Sequence, residues 1–259
     1  MKLLTFCYGR RHDGKIYPLE VDGFKMHGVL TVARDQAPFV IFSHGYNGTE
    51  KNLTHHCQLL AEQGINSYRF DFLVGSVNEA SEMKTEEVTI LTEMRDLLSV
   101  VDRFKSQPFV DPNQLFLFGA SMGGLVSSLV AEARKEVAGL FLMFTVFSVA
   151  KDWQQQYQTK TAIPDRLVFW GMPLGRPFFE VLLDFALEDE IGSYEGFVYI
   201  IHGDKDTVVS HTVTDWVKPL YKNLEVQIFL GEGHGFSKAG EEKTSEVLRQ
   251  FIQKHTSIK

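Results

Sequence analysis

Cysteine is scarce in this sequence: Cys7 and Cys57 are its two, far apart in 259 residues and in no metal-like spacing. Two cysteines cannot make a disulfide framework, which points to a reducing compartment. Long hydrophobic runs are missing as well. No stretch reaches the roughly 18 apolar residues of a membrane span. The opening Met-Lys-Leu-Leu-Thr-Phe is cut short by Gly9-Arg10-Arg11, below the length of a signal peptide's apolar region. A cytoplasmic protein is the expectation. Positive charge is also short, with 26 Lys and Arg against 33 Asp and Glu and a formal net charge of −7. Nucleic acid and anionic membranes would be repelled by that field, so neither is expected as a partner.

What is present is ordinary for a globular chain: 44% hydrophobic and 23% charged residues. The length suits one large domain, or one domain with an insertion. Twenty-one phenylalanines supply rigid apolar surface, for core packing before an aromatic-lined pocket.

Early in the chain, the β-like runs Lys2–Tyr8, Lys15–Val21 and Lys25–Ala33 are divided by the turn formers His12-Asp13-Gly14 and Asp22-Gly23. They predict antiparallel strands at one end of a sheet. Phe39-Val40-Ile41-Phe42 is wholly apolar, as a strand buried on both faces would be. Similar runs follow at Ser67–Phe72, Leu115–Phe118, Gly139–Thr145, Phe197–Ile201 and Val226–Leu230. Between them lie helical stretches at Leu53–Gln63, Thr85–Lys105, Met122–Arg134, His211–Tyr221 and Glu241–Lys254. In the second of these, Val88, Leu91, Leu98, Val101 and Phe104 recur at roughly helical spacing. The alternation predicts an α/β fold: a mostly parallel central sheet with helices on both faces. From about Ser148 to Ser193 the alternation lapses. Residues 148–193 are therefore expected to be a lid inserted into a core of residues 1–147 and 194–259.

Gly119-Ala120-Ser121-Met122-Gly123 fits G-x-S-x-G, with a strand directly before it and a helix directly after. A serine on such a turn stands proud of the sheet, and the flanking glycines allow the chains to crowd. A serine hydroxyl needs a base, and the base needs a group to hold its ring. His202-Gly203-Asp204-Lys205-Asp206 follows one strand and Gly233-His234-Gly235 follows the next. Ser121 is thus the candidate nucleophile, His234 the base and Asp206 the orienting acid. Asp206 is preferred to Asp204 because Gly203, Asp206 and Val209 fit Gly-x-x-Asp-x-x-Val, leaving Asp204 to shape the turn. The neighbours His55, His56 and Cys57 cannot all face one ion from a helix, so no metal site is read there. Ser43-His44-Gly45-Tyr46-Asn47-Gly48 follows the first parallel strand. The backbone N–H groups of Tyr46 and Met122 are the candidate oxyanion hole, with the Met122 thioether lining the pocket.

With these motifs placed, the chain resembles the α/β-hydrolase superfamily over nearly its whole length. More narrowly, it resembles small bacterial cinnamoyl and feruloyl esterases. The similarity is carried by His44–Gly48, Arg69-Phe70-Asp71-Phe72, the Ser121 turn, Ile163-Pro164-Asp165-Arg166-Leu167 and His202–Ser210. The resemblance implies an α/β-hydrolase fold whose small lid covers an acyl pocket and contacts phenolic hydroxyls. By the family's spacing its lid aspartate falls at Asp152, and its tyrosine falls near Phe178, which offers no hydroxyl. After Phe72 the family usually continues Asn-Gly-His-Gly-Asp-Ser, whereas this chain reads Leu73-Val74-Gly75-Ser76-Val77-Asn78. Apolar Leu73 and Val74 are expected to narrow or dry the loop beside the site.

The expectation is a carboxylic ester hydrolase working through an acyl-enzyme on a small-molecule ester with a small or medium acyl group, hydroxycinnamoyl among them, with no metal or organic cofactor. Alternatives on the same triad are a peptidase or amidase, as in the prolyl-oligopeptidase branch, and an acyltransferase. Those peptidases usually carry a propeller domain, of which this sequence shows no trace. A non-catalytic binding protein would commonly have lost a triad residue, and all three are here. A homodimer is one assembly that the sequence leaves open.

Overall fold

Residues 14–78 and 83–256 are described by the computed structural model; the run Lys2–Tyr8 and Cys7 lie outside them. Two short hairpin-like pairs come first: β1 (Lys15–Ile16), β2 (Leu19–Val21), β3 (Phe24–Met26) and β4 (Gly28–Thr31). Each of the two expected runs here is broken in two. Pro18 ends the first, as a proline interrupts a ladder, and His27 separates β3 from β4. Then follow β5 (Ala37–Ser43), helix α1 (Thr54–Glu62), β6 (Asn66–Phe70), α2 (Ile90–Lys105), β7 (Val110–Ala120), α3 (Met122–Ala133) and β8 (Gly139–Met143).

An excursion follows β8: α4 (Val149–Gln156), a hairpin of β9 (Arg166–Phe169) and β10 (Met172–Gly175), α5 (Arg176–Leu183) and α6 (Leu187–Glu190). The chain then returns through β11 (Phe197–Gly203), α7 (Val213–Val217), β12 (Leu224–Phe229) and α8 (Lys238–Lys254).

The main sheet runs β1-β4-β6-β5-β7-β8-β11-β12. The six strands from β6 to β12 are parallel, and β4 and β1 are antiparallel at one end. Alternate residues of a strand go to opposite faces. Phe39 and Ile41 of β5 therefore join a core with α2 and α3, while Val40 and Phe42 join a second core with α1 and α8. Burial on both faces explains why these strands read as continuous apolar runs.

Helix α2 differs from its sequence reading. Thr85–Glu87 forms a separate short turn, and α2 starts only at Ile90. Thr89 caps it: its Oγ1 accepts the Thr92 N–H at 3.0 Å, while Thr92 Oγ1 accepts the Thr89 N–H at 2.9 Å. That start shifts the inward face to Ile90, Leu97, Val100, Val101 and Phe104, leaving Leu91 53% exposed. Toward the chain's end the expected strand Val226–Leu230 stops at Phe229, and Leu230 lies 84% exposed. Among the described residues no helix is long and apolar enough to cross a membrane.

Candidate active site

β5 and β7 are neighbours in space although β6 separates them in sequence, so connections leave this point in opposite directions. Crevices at the carboxyl ends of strands open at such switch points. Ser121 stands at the end of β7 with φ 52° and ψ −116°, a left-handed conformation unusual for a non-glycine residue. Its N–H donates to Met143 O at 2.9 Å, and its carbonyl accepts Gly124 N–H at 3.0 Å, which fixes the turn. The glycines on either side are required by crowding. A Cβ at Gly119 would lie 2.4 Å from Gly123 O, and one at Gly123 would lie 2.3 Å from His44 O.

Ser121 Oγ lies 3.0 Å from His234 Nε2, and His234 Nδ1 lies 2.8 Å from Asp206 Oδ2. The three residues come from the ends of three parallel strands, β7, β11 and β12. Asp206 Oδ1 accepts the N–H groups of Val208 and Val209 at 2.9 and 2.8 Å. Burial pushes the Asp206 carboxyl up, but bonds from His202, His234 and Val209 outweigh it, so its pKa falls below the usual carboxylate range. Asp204 turns the other way and accepts the Gly231 N–H at 2.6 Å, which shapes the turn.

Opposite the serine, the loop after β5 is held from below by His44. Its Nε2 accepts the Phe72 N–H at 3.3 Å, so Nδ1 carries the hydrogen and donates to Gly45 O at 2.8 Å. Burial lowers its pKa, with the Gly45 bond opposing. Met122 is the first residue of α3, where an N–H has no acceptor one turn earlier. In the β5 loop, Asn47 N–H is taken by Gly75 O and Gly48 N–H by Gly45 O. The Tyr46 N–H precedes these two engaged groups in the loop, and its side chain faces the excursion. Tyr46 Oη donates to Phe169 O at 2.9 Å and lies 3.5 Å from Met172 O, while Asn47 Nδ2 lies 3.4 Å from Trp170 O. Trp170 and Gly171 have φ of 42° and 79° and make the two-residue turn joining β9 to β10.

Two cavities open on Ser121. One, of about 280 Å³, is lined by Met122, Val146, Val149, Trp153, Phe169 and Phe178, with Asp152 and Gln156 as polar members. The other, of about 560 Å³, is lined by His234, Asn52, Asn78, Thr49, Phe144 and Glu241, among others. Tyr46 and Trp170 border both.

Asp152 and Phe178 both line the smaller cavity. Phe178 is buried in its wall, and Asp152 is an exposed residue whose Oδ2 accepts the Ser148 hydroxyl at 2.7 Å. Leu73 is a correction. Its N–H donates to Asp96 Oδ2 at 2.9 Å, and its side chain packs into the core beside a groove with Ile16, Pro18 and Met26. The apolar pair Leu73-Val74 is thus a core anchor, and neither residue lines a cavity at Ser121. The geometry adds His202, Trp170, Gln156 and Asn47 to the site. Asn47 and His202 lie within the strings His44–Gly48 and His202–Ser210, and an aromatic residue before a turn glycine, Trp170-Gly171, was the local signal for the hairpin tip. His56 and Cys57 are tied into the core instead: His56 Nδ1 bonds Ser245 Oγ at 2.6 Å, and burial pushes the Cys57 thiol up to about 11.

A six-stranded parallel run with a serine on the strand-to-helix turn of β7 defines an α/β hydrolase. Comparison with known proteins narrows this. The chain belongs to the prolyl oligopeptidase family, whose model matches residues 83–258. It is 26% identical over 251 residues to YitV of Bacillus subtilis (strain 168), whose name proposes an esterase. That match spans 88% of this chain and 94% of YitV. The fold is similar to Est1E of Butyrivibrio proteoclasticus with ferulic acid bound, at TM-score 0.84 and 23% identity, over 92% of this chain and 98% of Est1E. It is also similar to mouse alpha/beta hydrolase domain-containing protein 10, at TM-score 0.74 and 19% identity, over 93% and 100% of the two chains.

Proposed function

We propose that the protein is a carboxylic ester hydrolase that works through an acyl-enzyme at Ser121. The observation that carries this reading is the hydrogen-bonded line Ser121–His234–Asp206 with a largely apolar cavity opening directly on the serine. In this reading Ser121 Oγ attacks the ester carbonyl and His234 Nε2 takes its proton. Asp206 orients the imidazole and stabilises its charged form. The N–H groups of Tyr46 and Met122 bind the oxyanion. His234 then returns the proton to the leaving alcohol, and water releases the acid by the reverse path.

Proton return fixes which cavity holds which half of the ester. The leaving oxygen must reach His234, so the alcohol occupies the larger, more polar cavity beside it. The acyl group occupies the smaller one, beside Met122. About 280 Å³ is near the lower end of small-molecule pockets, roughly 300–1,000 Å³, which favours a small or medium acyl group. Residues 148–193 act as the lid in this reading, because α4, α5 and the β9–β10 hairpin provide most of that lining. The name of YitV supports an ester substrate, and the ferulic acid bound to Est1E supports an acyl group of that size.

The test is hydrolysis of a short-chain nitrophenyl ester together with labelling by a fluorophosphonate. Wild type should turn over the ester and take one label, and Ser121→Ala should do neither while keeping its circular dichroism. Unchanged turnover by the alanine variant would sink the assignment. The nitroanilide of the same acyl group separates esterase from amidase, a distinction that membership of a peptidase family makes worth measuring.

A further inference from the structure

Asp206 receives more donors than a triad requires. Val208 and Val209 occupy Oδ1 through their N–H groups, at 2.9 and 2.8 Å. Oδ2 accepts from His234 Nδ1 at 2.8 Å and also lies 3.1 Å from His202 Nε2. A carboxylate offers about four lone-pair positions, so the carboxylate is saturated. His202 is the next-to-last residue of β11 and fully buried.

Its partners fix the position of the ring hydrogen. Nε2 faces Asp206 Oδ2 and, at 3.0 Å, Val209 O. Both are acceptors, so Nε2 carries the hydrogen and shares it between them. Nδ1 is buried with no hydrogen-bond partner among the described residues. The Nε2–H is therefore what this ring contributes.

We propose that His202 is a positioning residue of the triad, holding the same Asp206 oxygen that orients His234. The proposal rests on the hydrolase reading above. Without the His202 donor, Oδ2 is free to turn toward His234 in more than one geometry, and its negative charge is less spread. A more concentrated carboxylate charge holds the imidazolium proton of His234 more firmly. The remaining charges around this turn are engaged elsewhere among the described residues. Asp204 Oδ2 lies 3.2 Å from Lys205 Nζ, Glu232 accepts the Ser237 N–H and hydroxyl at 2.6 Å, and Glu241, across the polar cavity, lies 2.7 Å from His56 Nε2.

A purely structural role, pinning the end of β11 to the Val209 carbonyl, predicts a different result from the same variants. His202→Leu should lower kcat roughly 10- to 100-fold, the worth of a bond to a charged group, with little change in KM. It should also move the acidic limb of the kcat/KM profile to higher pH. His202→Gln, which keeps an N–H donor of similar reach, should recover most of kcat and return the limb. An unmoved limb in His202→Leu, or equal losses in the two variants, would overturn the proposal.

Nitrogen-15 NMR of the wild-type protein gives a second reading that survives a misfolded variant. It should show His202 protonated at Nε2, and a hydrogen on Nδ1 alone would contradict the assignment. Retained turnover in Ser121→Ala would fail the hydrolase reading separately, whatever the state of His202.

Discussion

The two cavities beside Ser121 are built from different parts of the chain. The smaller takes most of its wall from residues 146–178, an excursion whose helices and hairpin are held together by aromatic contacts. Trp153 meets Phe169, Phe179 and Tyr157 with ring centres 5.3, 4.8 and 5.8 Å apart. The larger is made mostly of loops at the ends of β5, β7, β8 and β12, with amides, hydroxyls and a carboxylate among its side chains. One wall can change with the excursion while the other is tied to the loops that place His234 and the N–H groups proposed to bind the oxyanion. On the proposed reading, acyl selectivity and catalytic geometry are encoded largely in separate stretches of sequence, which meet at Ser121, Tyr46 and Trp170.

The largest effect should ignore that division. Asp206→Asn removes the charge that stabilises the His234 imidazolium and offers it the wrong hydrogen-bonding group. Its kcat should fall by about 10³–10⁴, equally for esters that differ in acyl or in alcohol. A loss confined to one substrate series would break the comparison, because it would make Asp206 part of one wall. The acid side has a defined sign. Asp206 has a folded pKa below its unfolded one, so its stabilising contribution is present above the unfolded value, about 3.9, and is lost as pH falls through the depressed one. Thermal melts of wild type and Asp206→Asn should converge on strong acidification.

An intermediate effect should respect the division. Val149 is buried in the wall of the smaller cavity, and Val149→Phe fills space there. Discrimination by a methylene or two in an apolar pocket is about 1–3 kcal/mol, or roughly 10- to 200-fold. The variant should lose that much kcat/KM toward the longer acyl esters and little toward acetate. Varying the alcohol at constant acyl group should leave the ratio of variant to wild type unchanged. A ratio that follows the alcohol would exchange the assignments of the two cavities.

How much of this was legible in the sequence follows the same line. The parallel strands, the Ser121 turn and the order of Asp206 and His234 are local strings. Burial on both faces forces an apolar run, and a strained strand-to-helix turn forces its glycines. The phase of α2 was not legible, because the Thr89–Thr92 cap decides where the helix begins, and that moved Leu91 to solvent. Leu73 was misplaced for a related reason. Its backbone is bound by Asp96, 23 residues away, and no local pattern records that bond. The tip of the hairpin is the extreme case. Trp170 is held in Ser121's surroundings by Tyr46 and Asn47, more than 120 positions earlier, which bind the carbonyls around it.

The smallest effect should lie at that junction. Tyr46→Phe keeps the backbone N–H assigned to the oxyanion and removes only the hydroxyl that donates to Phe169 O. A neutral hydrogen bond is worth about 0.5–1.5 kcal/mol net, so a loss of roughly 2- to 10-fold is the ceiling. If Tyr46 serves both halves of the site through different atoms, the loss should fall on acyl groups long enough to press on the hairpin. It should appear in KM more than in kcat, since the oxyanion donor is untouched. Burial, with the charge of Glu93 adding to it, raises the phenol pKa. The hydroxyl thus stays a donor through the alkaline range, and the difference between Tyr46→Phe and wild type should be flat from neutral to mildly alkaline pH. A kcat loss shared by acetate and longer esters would instead mean that the hairpin bond also sets the position of the Tyr46 backbone. The two cavities would then be one mechanical unit, and the separation of selectivity from catalytic geometry would fail at the residue where it is most exposed to test.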